Sequence, residues 1–178
     1  MRYALVLGGA RSLWEDLDTA RKLVPLEECT VLAVNQAGIY YDGHLDHFCT
    51  LHPEQFVPKI ERQREGNRDF LVWAHKRRPG VTNVTLDWGG SSGLFAVKVA
   101  LELGFGRVVV CGCPLDPQPH FDRPGAWEDY RSYQGAWRRH LSQLQGNVRS
   151  MSGWTSALLG LPDELWLLGT ESATTQET

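Results

Sequence analysis

The chain lacks any run of about 20 apolar residues, so no segment reads as a membrane-spanning helix. It also lacks a Gly-Lys-Ser or Gly-Lys-Thr sequence, which excludes a P-loop. Charge of one sign is scarce: the formal balance is −3, too small to draw the whole molecule to nucleic acid or to an acidic membrane. Cysteine is limited to four residues, at 29, 49, 111 and 113. Cys111-Gly112-Cys113 is one residue tighter than a zinc knuckle and no second pair follows, so the expectation is buried reduced thiols and no metal site. The start offers only Arg2 before a short apolar strand, which does not read as a secretory signal and points to the cytoplasm. There is no internal repeat.

What is present is a balanced globular composition, with 42% hydrophobic and 22% charged residues over 178 positions. Apolar strand-like runs alternate with helical spacings. Strands are expected at Tyr3 to Leu7, Val31 to Val34, His47 to Leu51, Phe70 to Ala74, Val81 to Leu86, Val108 to Cys111 and around Val148. Helices are expected over Trp14 to Leu23, Gln55 to Arg64, Ser92 to Leu103 and Tyr130 to Gln145. That order predicts an α/β protein: a single-domain Rossmann-like open sheet, mostly parallel, with helices on both faces, covering residues 1–169. The polar, Thr-rich residues 170–178 read as a disordered tail.

Two glycine-containing turns stand out between a strand and a helix. The first is Gly8-Gly9-Ala10-Arg11-Ser12 and the second Gly89-Gly90-Ser91-Ser92-Gly93. Glycine lets backbone approach a ligand, and a helix that starts just beyond it aims free N–H groups at an anion. Ser12, Ser91 and Ser92 suit both helix capping and donation to phosphate oxygens. The first turn lacks the third glycine of a dinucleotide fingerprint, so the pair suggests a split nucleotide site of another kind, with a bare strand–helix connection as the alternative.

The ordered set of motifs resembles the bacterial sialyltransferase-like glycosyltransferases that use CMP-sialic acid, and more distantly the hydroxymethylpterin pyrophosphokinase-like proteins. The matching segments are Gly8-Gly9-Ala10-Arg11-Ser12-Leu13, Ala33-Val34-Asn35-Gln36, Thr50-Leu51-His52-Pro53, Ser91-Ser92-Gly93, Leu101-Glu102-Leu103-Gly104 and Gly112-Cys113-Pro114-Leu115-Asp116, with Ser152-Gly153-Trp154-Thr155-Ser156 late in the chain. The resemblance implies that Gly8, Gly9 and Ser12 face nucleotide phosphates, that Asn35 binds ribose, phosphate or donor sugar, and that His52 stands beside the leaving phosphate. It further places Ser91, Ser92, Gly93 and Asp116 around the nucleotide. It implies metal-independent inverting transfer with no required cofactor, from a CMP-sugar or another nucleotide sugar to a glycan or other hydroxyl acceptor. Phenols for the departing phosphate would come from Tyr130 and Tyr133.

The chain departs from that pattern in ways that matter. Arg11 replaces the usual proline and either adds a cation to the phosphate site or points to solvent. The family's base histidine precedes the late helix, where this chain has Ala126-Trp127-Glu128-Asp129-Tyr130; His120 upstream is the first candidate, with His52 and Asp129 behind it. A Mg²⁺-dependent pyrophosphokinase-like enzyme is the alternative, although Thr50-Leu51-His52-Pro53 stands where it would want paired aspartates. A nucleotide sensor or sequestering protein is the third reading. The cationic stretch from Lys59 to Arg78 reads as a solvated face, with a basic rim for an anionic acceptor such as nucleic acid as the minor reading. Trp127, Trp137, Trp154 and Trp166 read as packing for the last helix and strand, with one beside the crevice stacking a base or sugar ring as the minor reading, and a homo-oligomer is open.

Overall fold

Apolar stretches too short to bury themselves alone pair here into one sheet. The structure, a computed structural model, describes residues 3–65 and 69–169; the tail expected at 170–178 lies outside the described residues. In chain order the strands are β1 (Tyr3–Leu7), β2 (Cys29–Val34), β3 (His47–Thr50), β4 (Leu71–Ala74), β5 (Asn83–Val84), β6 (Arg107–Cys111) and β7 (Val148–Ser150). The helices are α1 (Leu13–Ala20), α2 (Gln36–Tyr40), α3 (Pro53–Gln63), α4 (Ser92–Glu102), α5 (Tyr130–Arg139), α6 (Leu141–Leu144), α7 (Gly153–Leu159) and α8 (Glu164–Leu168).

The spatial order is β5-β4-β3-β2-β1-β6-β7, and every pairing is parallel rather than mostly so. The chain therefore builds outward from β1 to β5, then returns through α4 to lay β6 against the other edge of β1. Alternation along the central strands divides two cores. Leu5 and Leu7 of β1, with Val109 and Cys111 of β6, face α1, α3 and α8. Ala4 and Val6, with Val108 and Val110, face α4, α5 and α7. This is the α/β, Rossmann-like form that the alternating elements predict.

Helix α4 is buried almost all round, from Ser92 to Ala100. An all-apolar helix belongs in a core, and its one cation is neutralised there: Lys98 donates to Thr85 Oγ1 at 2.8 Å and to the Glu102 carboxylate.

Several expected elements change. The strand expected over 81–86 contracts to Asn83–Val84. The helix expected over 130–145 breaks at His140, whose ring stacks on Trp88 at 4.4 Å and whose Nε2 donates to the Trp88 carbonyl at 3.2 Å. Those contacts anchor the chain to the segment before α4 and end the regular turn. Helices α2, α7 and α8 are additions to the sequence reading. Trp137 and Trp166 are fully buried, whereas Trp127 and Trp154 are half-buried.

Candidate functional site

In open parallel sheets ligands sit beyond the carboxyl ends of the strands, where the strand order reverses. Here that point lies between β1 and β6, and a cavity of about 270 Å³ occupies it. Its walls come from the residues after β1, β2, β3 and β6, and from the start of α4. The volume is just under the roughly 300 Å³ at which small-ligand sites begin.

Glycines set the floor. Gly8 N–H donates to Cys111 O at 2.8 Å and Ala10 N–H to Gly112 O at 3.0 Å, so the first turn is stitched to the end of β6. A methyl group at Gly8 would overlap Cys113 Sγ and the Gly112 carbonyl. One at Gly93 would lie 2.7 Å from the same sulfur. Both glycines therefore serve close packing around Cys113, whose thiol burial pushes up to about 12, an inert lining group.

Strain gathers at the same place. Among the described residues, the non-glycine residues with positive φ are Asn35 (48°) and Leu115 (51°), and both line the cavity. Such conformations persist only where the surroundings over-determine them, and they concentrate at functional sites. Leu115 is held by Gln134 Nε2 on its carbonyl at 2.8 Å, and the preceding turn by Thr155 Oγ1 on Cys113 O at 2.7 Å. Asn35 is held by a network. Its Oδ1 accepts from Thr50 Oγ1 at 2.8 Å, Thr50 Oγ1 accepts from His52 N–H at 2.9 Å, and Asn35 Nδ2 donates to Ser92 Oγ at 3.3 Å.

Ser92 Oγ also accepts from Leu51 N–H at 3.4 Å. With both lone pairs engaged, its hydrogen is left for an acceptor outside the described network. Ser91 caps α4, accepting from Leu94 N–H at 3.3 Å. The first two amides of α4, those of Ser92 and Gly93, have no intrahelical acceptor and carry the helix's positive end. The start of α4 thus brings a hydroxyl and two amides without an intrahelical acceptor to the cavity lining, groups of the kind that suit an oxygen anion.

Opposite them stands His120. The segment after β6 folds back so that His120 bridges Ala10 in an antiparallel pair, with Arg11 N–H on Pro119 O at 3.0 Å and Phe121 N–H on Gly9 O at 3.1 Å. His120 Nδ1 lies 3.1 Å from the Gly9 carbonyl. A carbonyl can only accept, so Nδ1 carries the hydrogen and Nε2 is the free base. Burial, reinforced by Arg123, holds this imidazole below the ordinary histidine range, so it is neutral at physiological pH. Trp127 meets His120 edge-on at 5.7 Å and stacks on Tyr133 at 5.1 Å, which makes one wall aromatic.

Of the residues singled out in the sequence, Gly8, Gly9, Asn35, His52, Ser91, Ser92, Gly93, Asp116, His120 and Tyr133 come together around this cavity. Four do not line it, the base candidate Asp129 among them. Tyr130 accepts from Arg131 Nε at 3.0 Å, away from the cavity. Arg11 lines a separate groove. Ser12 leaves its hydroxyl on Asp16 Oδ2 at 3.2 Å and beside Ser152 Oγ at 3.2 Å, and it makes no side-chain cap on α1. The asparagine amide is partly committed to Thr50 and Ser92, so its first role is to shape the site. Gln55, Gln118 and Arg123 join the lining without a local sequence signal, together with Gln36 of the second matched segment and Trp127. Asp116 is engaged by Gln118, through its N–H at 3.3 Å and its Nε2 at 3.2 Å. Among the described residues, no three His, Cys, Asp or Glu side chains gather into a metal-binding group.

Behind the cavity, sequence reasoning missed Asp16. Its buried Oδ2 accepts from Gly112 N–H at 2.8 Å and from Ser152 Oγ–H at 2.7 Å as well as from Ser12. Burial raises its pKa, against the three hydrogen bonds that lower it. It ties α1, the end of β6 and the start of α7 beneath the site. Asp16→Ala strands the Gly112 amide and is expected to lower stability by about 2–3 kcal/mol. The urea midpoint of the purified variant reads this, and Asp16→Asn, which keeps an acceptor, should recover part of the loss.

Fold and site together define an α/β Rossmann-like protein with a polar crevice at its topological switch point. Comparison with protein-family models, curated proteins and solved structures finds no match to the chain. No helix among the described residues is long and apolar enough to cross a membrane.

Proposed function

We propose that the chain is a metal-independent transferase acting on a nucleotide-activated donor, most like a small sialyltransferase-type glycosyltransferase. The observation that carries this reading is the pairing across one crevice of a neutral histidine, Nε2 unprotonated, with the anion-directed donors of Ser92 and the α4 start. Donors placed there would hold the phosphate of the departing nucleotide. In the step, an acceptor hydroxyl gives its proton to His120 Nε2 and its oxygen bonds to the donor carbon. The bond from that carbon to the phosphate oxygen breaks, and its electron pair leaves with the nucleotide. Trp127 and Tyr133 offer a stacking surface for a base or sugar ring, and Tyr133 supplies the phenol that Tyr130 does not bring to the cavity.

A thermal-shift screen of CMP, CDP, UDP, GDP, ATP and several nucleotide sugars, with and without Mg²⁺, tests the reading. Stabilisation by CMP or a nucleotide sugar without metal is the expected result, about 2.7 kcal/mol at a hundredfold excess over Kd. A response to ATP only with Mg²⁺ would transfer the proposal to pyrophosphoryl transfer. No response to any of them would leave the crevice without a nucleotide role. A stabilising nucleotide sugar should also be slowly hydrolysed; its return intact after long incubation would indicate a sensor.

A further inference from the structure

His120 has two faces. Inside is the cavity described above; outside is a second groove lined by Arg11, Trp14, Phe121, Asp122 and Arg123 as well as His120 itself. Pro119, His120 and Arg123 border both spaces, so the partition between them includes the candidate base.

The outer groove has a definite chemistry. Trp14, on the first turn of α1, is 38% exposed although a tryptophan gains by burial, and it meets Phe121 edge-on at 5.5 Å. Tyr40 also meets Phe121 edge-on, at 5.6 Å. The Phe121 contacts hold the aromatic surface in place. Asp122 answers Arg123 at 3.7 Å, whereas exposed Arg11 has no side-chain partner among the described residues. The groove therefore presents an anchored flat ring beside an uncompensated guanidinium.

We propose that this groove is an acceptor subsite for an anionic sugar, a hydroxyl-bearing ring with a phosphate or carboxylate substituent. The sugar ring lies on Trp14, its anion pairs with Arg11, and a hydroxyl turns toward His120 through the shared wall. Arg11 suits either anion because its planar fork binds both bidentately. Proton removal and bond formation must occur on one oxygen, so the acceptor hydroxyl has to pass the border formed by Pro119, His120 and Arg123 into the donor cavity, with His120 beside it. The proposal rests on the transfer reading, yet its binding half is measurable without it.

Calorimetric titrations of the whole chain at low salt, with glucose 6-phosphate, glucuronate, glucose and inorganic phosphate, decide the matter. Either anionic sugar should bind about tenfold or more tightly than both glucose and phosphate, the equivalent of one charge-assisted hydrogen bond added to ring contact. The tighter of the two names the anion. Arg11→Gln, at an exposed position, should remove that advantage, and Trp14→Ala should weaken the anionic sugar but not phosphate. Neither change should alter the affinity of CMP or of the nucleotide sugar that stabilises the protein. Equal binding of phosphate and sugar phosphate, no binding of any sugar, or indifference to Arg11→Gln would overturn the subsite. If no nucleotide binds while the anionic sugar binds through Arg11, the transfer reading falls and the groove stands as a binding site. If nucleotides bind and anionic sugars do not, the subsite alone fails.

Discussion

Replacing His120 with alanine is expected to slow nucleotide release from the activated donor about 10²–10⁴-fold, the usual contribution of a positioned general base. Nucleotide affinity should change little by comparison, because the anion-directed donors belong to Ser92 and α4 on the opposite wall. The pH profile adds a second, independent reading. A base works only when unprotonated, and burial disfavours the charged imidazolium, so its folded pKa lies below the ordinary 6.5. Release per unit donor should therefore be flat through neutrality and fall on acidification, with its midpoint below about 6.5. His120→Ala should abolish that acid limb together with the rate. A variant that releases nucleotide at the parental rate, or a limb that survives the substitution, would move the base elsewhere, with His52 next in line at the cavity rim.

The largest effect on stability is expected at Gly8. Alanine there places a methyl group into Cys113 Sγ and the Gly112 carbonyl at once. A side chain can swing aside, but the carbonyl accepts the Ala10 N–H at 3.0 Å and belongs to a glycine at φ 69°. Overpacking against backbone should cost about 3 kcal/mol or more. At about 2–4 °C per kcal/mol for a domain of this size, thermal unfolding would shift down by roughly 6–12 °C or more. The double variant Gly8→Ala with Cys113→Ala separates the two obstacles. It should regain only a minor part of the loss, since the carbonyl remains. Full recovery would mean that the sulfur alone forbids a side chain at this position.

Much of the scaffold was legible because its signals are local. The β1 segment and residues 108–111 of β6 are unbroken apolar runs, and α4 is preceded by Ser91, which does cap it, and followed by Gly104. Both glycine turns reach the crevice, as their position between strand and helix suggests. The failures are equally physical. Helix α2 has five residues including Gly38, too short for a periodic signal. The break at His140 depends on Trp88, far away in sequence. Ser12 reads as a cap or phosphate donor, but Asp16 and Ser152 claim its hydroxyl. Trp127, Gln118 and Arg123 enter the site only because the segment after β6 doubles back over Ala10, a non-local pairing with no trace in the local pattern.

The placement of β1 at the reversal of strand order has a consequence for synthesis. Its register pairs Tyr3 with Arg107 on one side and with Cys29 on the other. One edge of this inner strand must therefore wait for most of the chain to leave the ribosome. At about 5–20 residues per second, that wait is roughly 5–20 s, during which the nascent chain carries an apolar strand with an open hydrogen-bonding edge. The crevice cannot exist in a product that ends before β6, because the residues after β1 and those after β6 that line it are translated at opposite ends of that interval. A stalled or truncated chain that ends before β6 should consequently be a client for chaperones rather than a weakened binder.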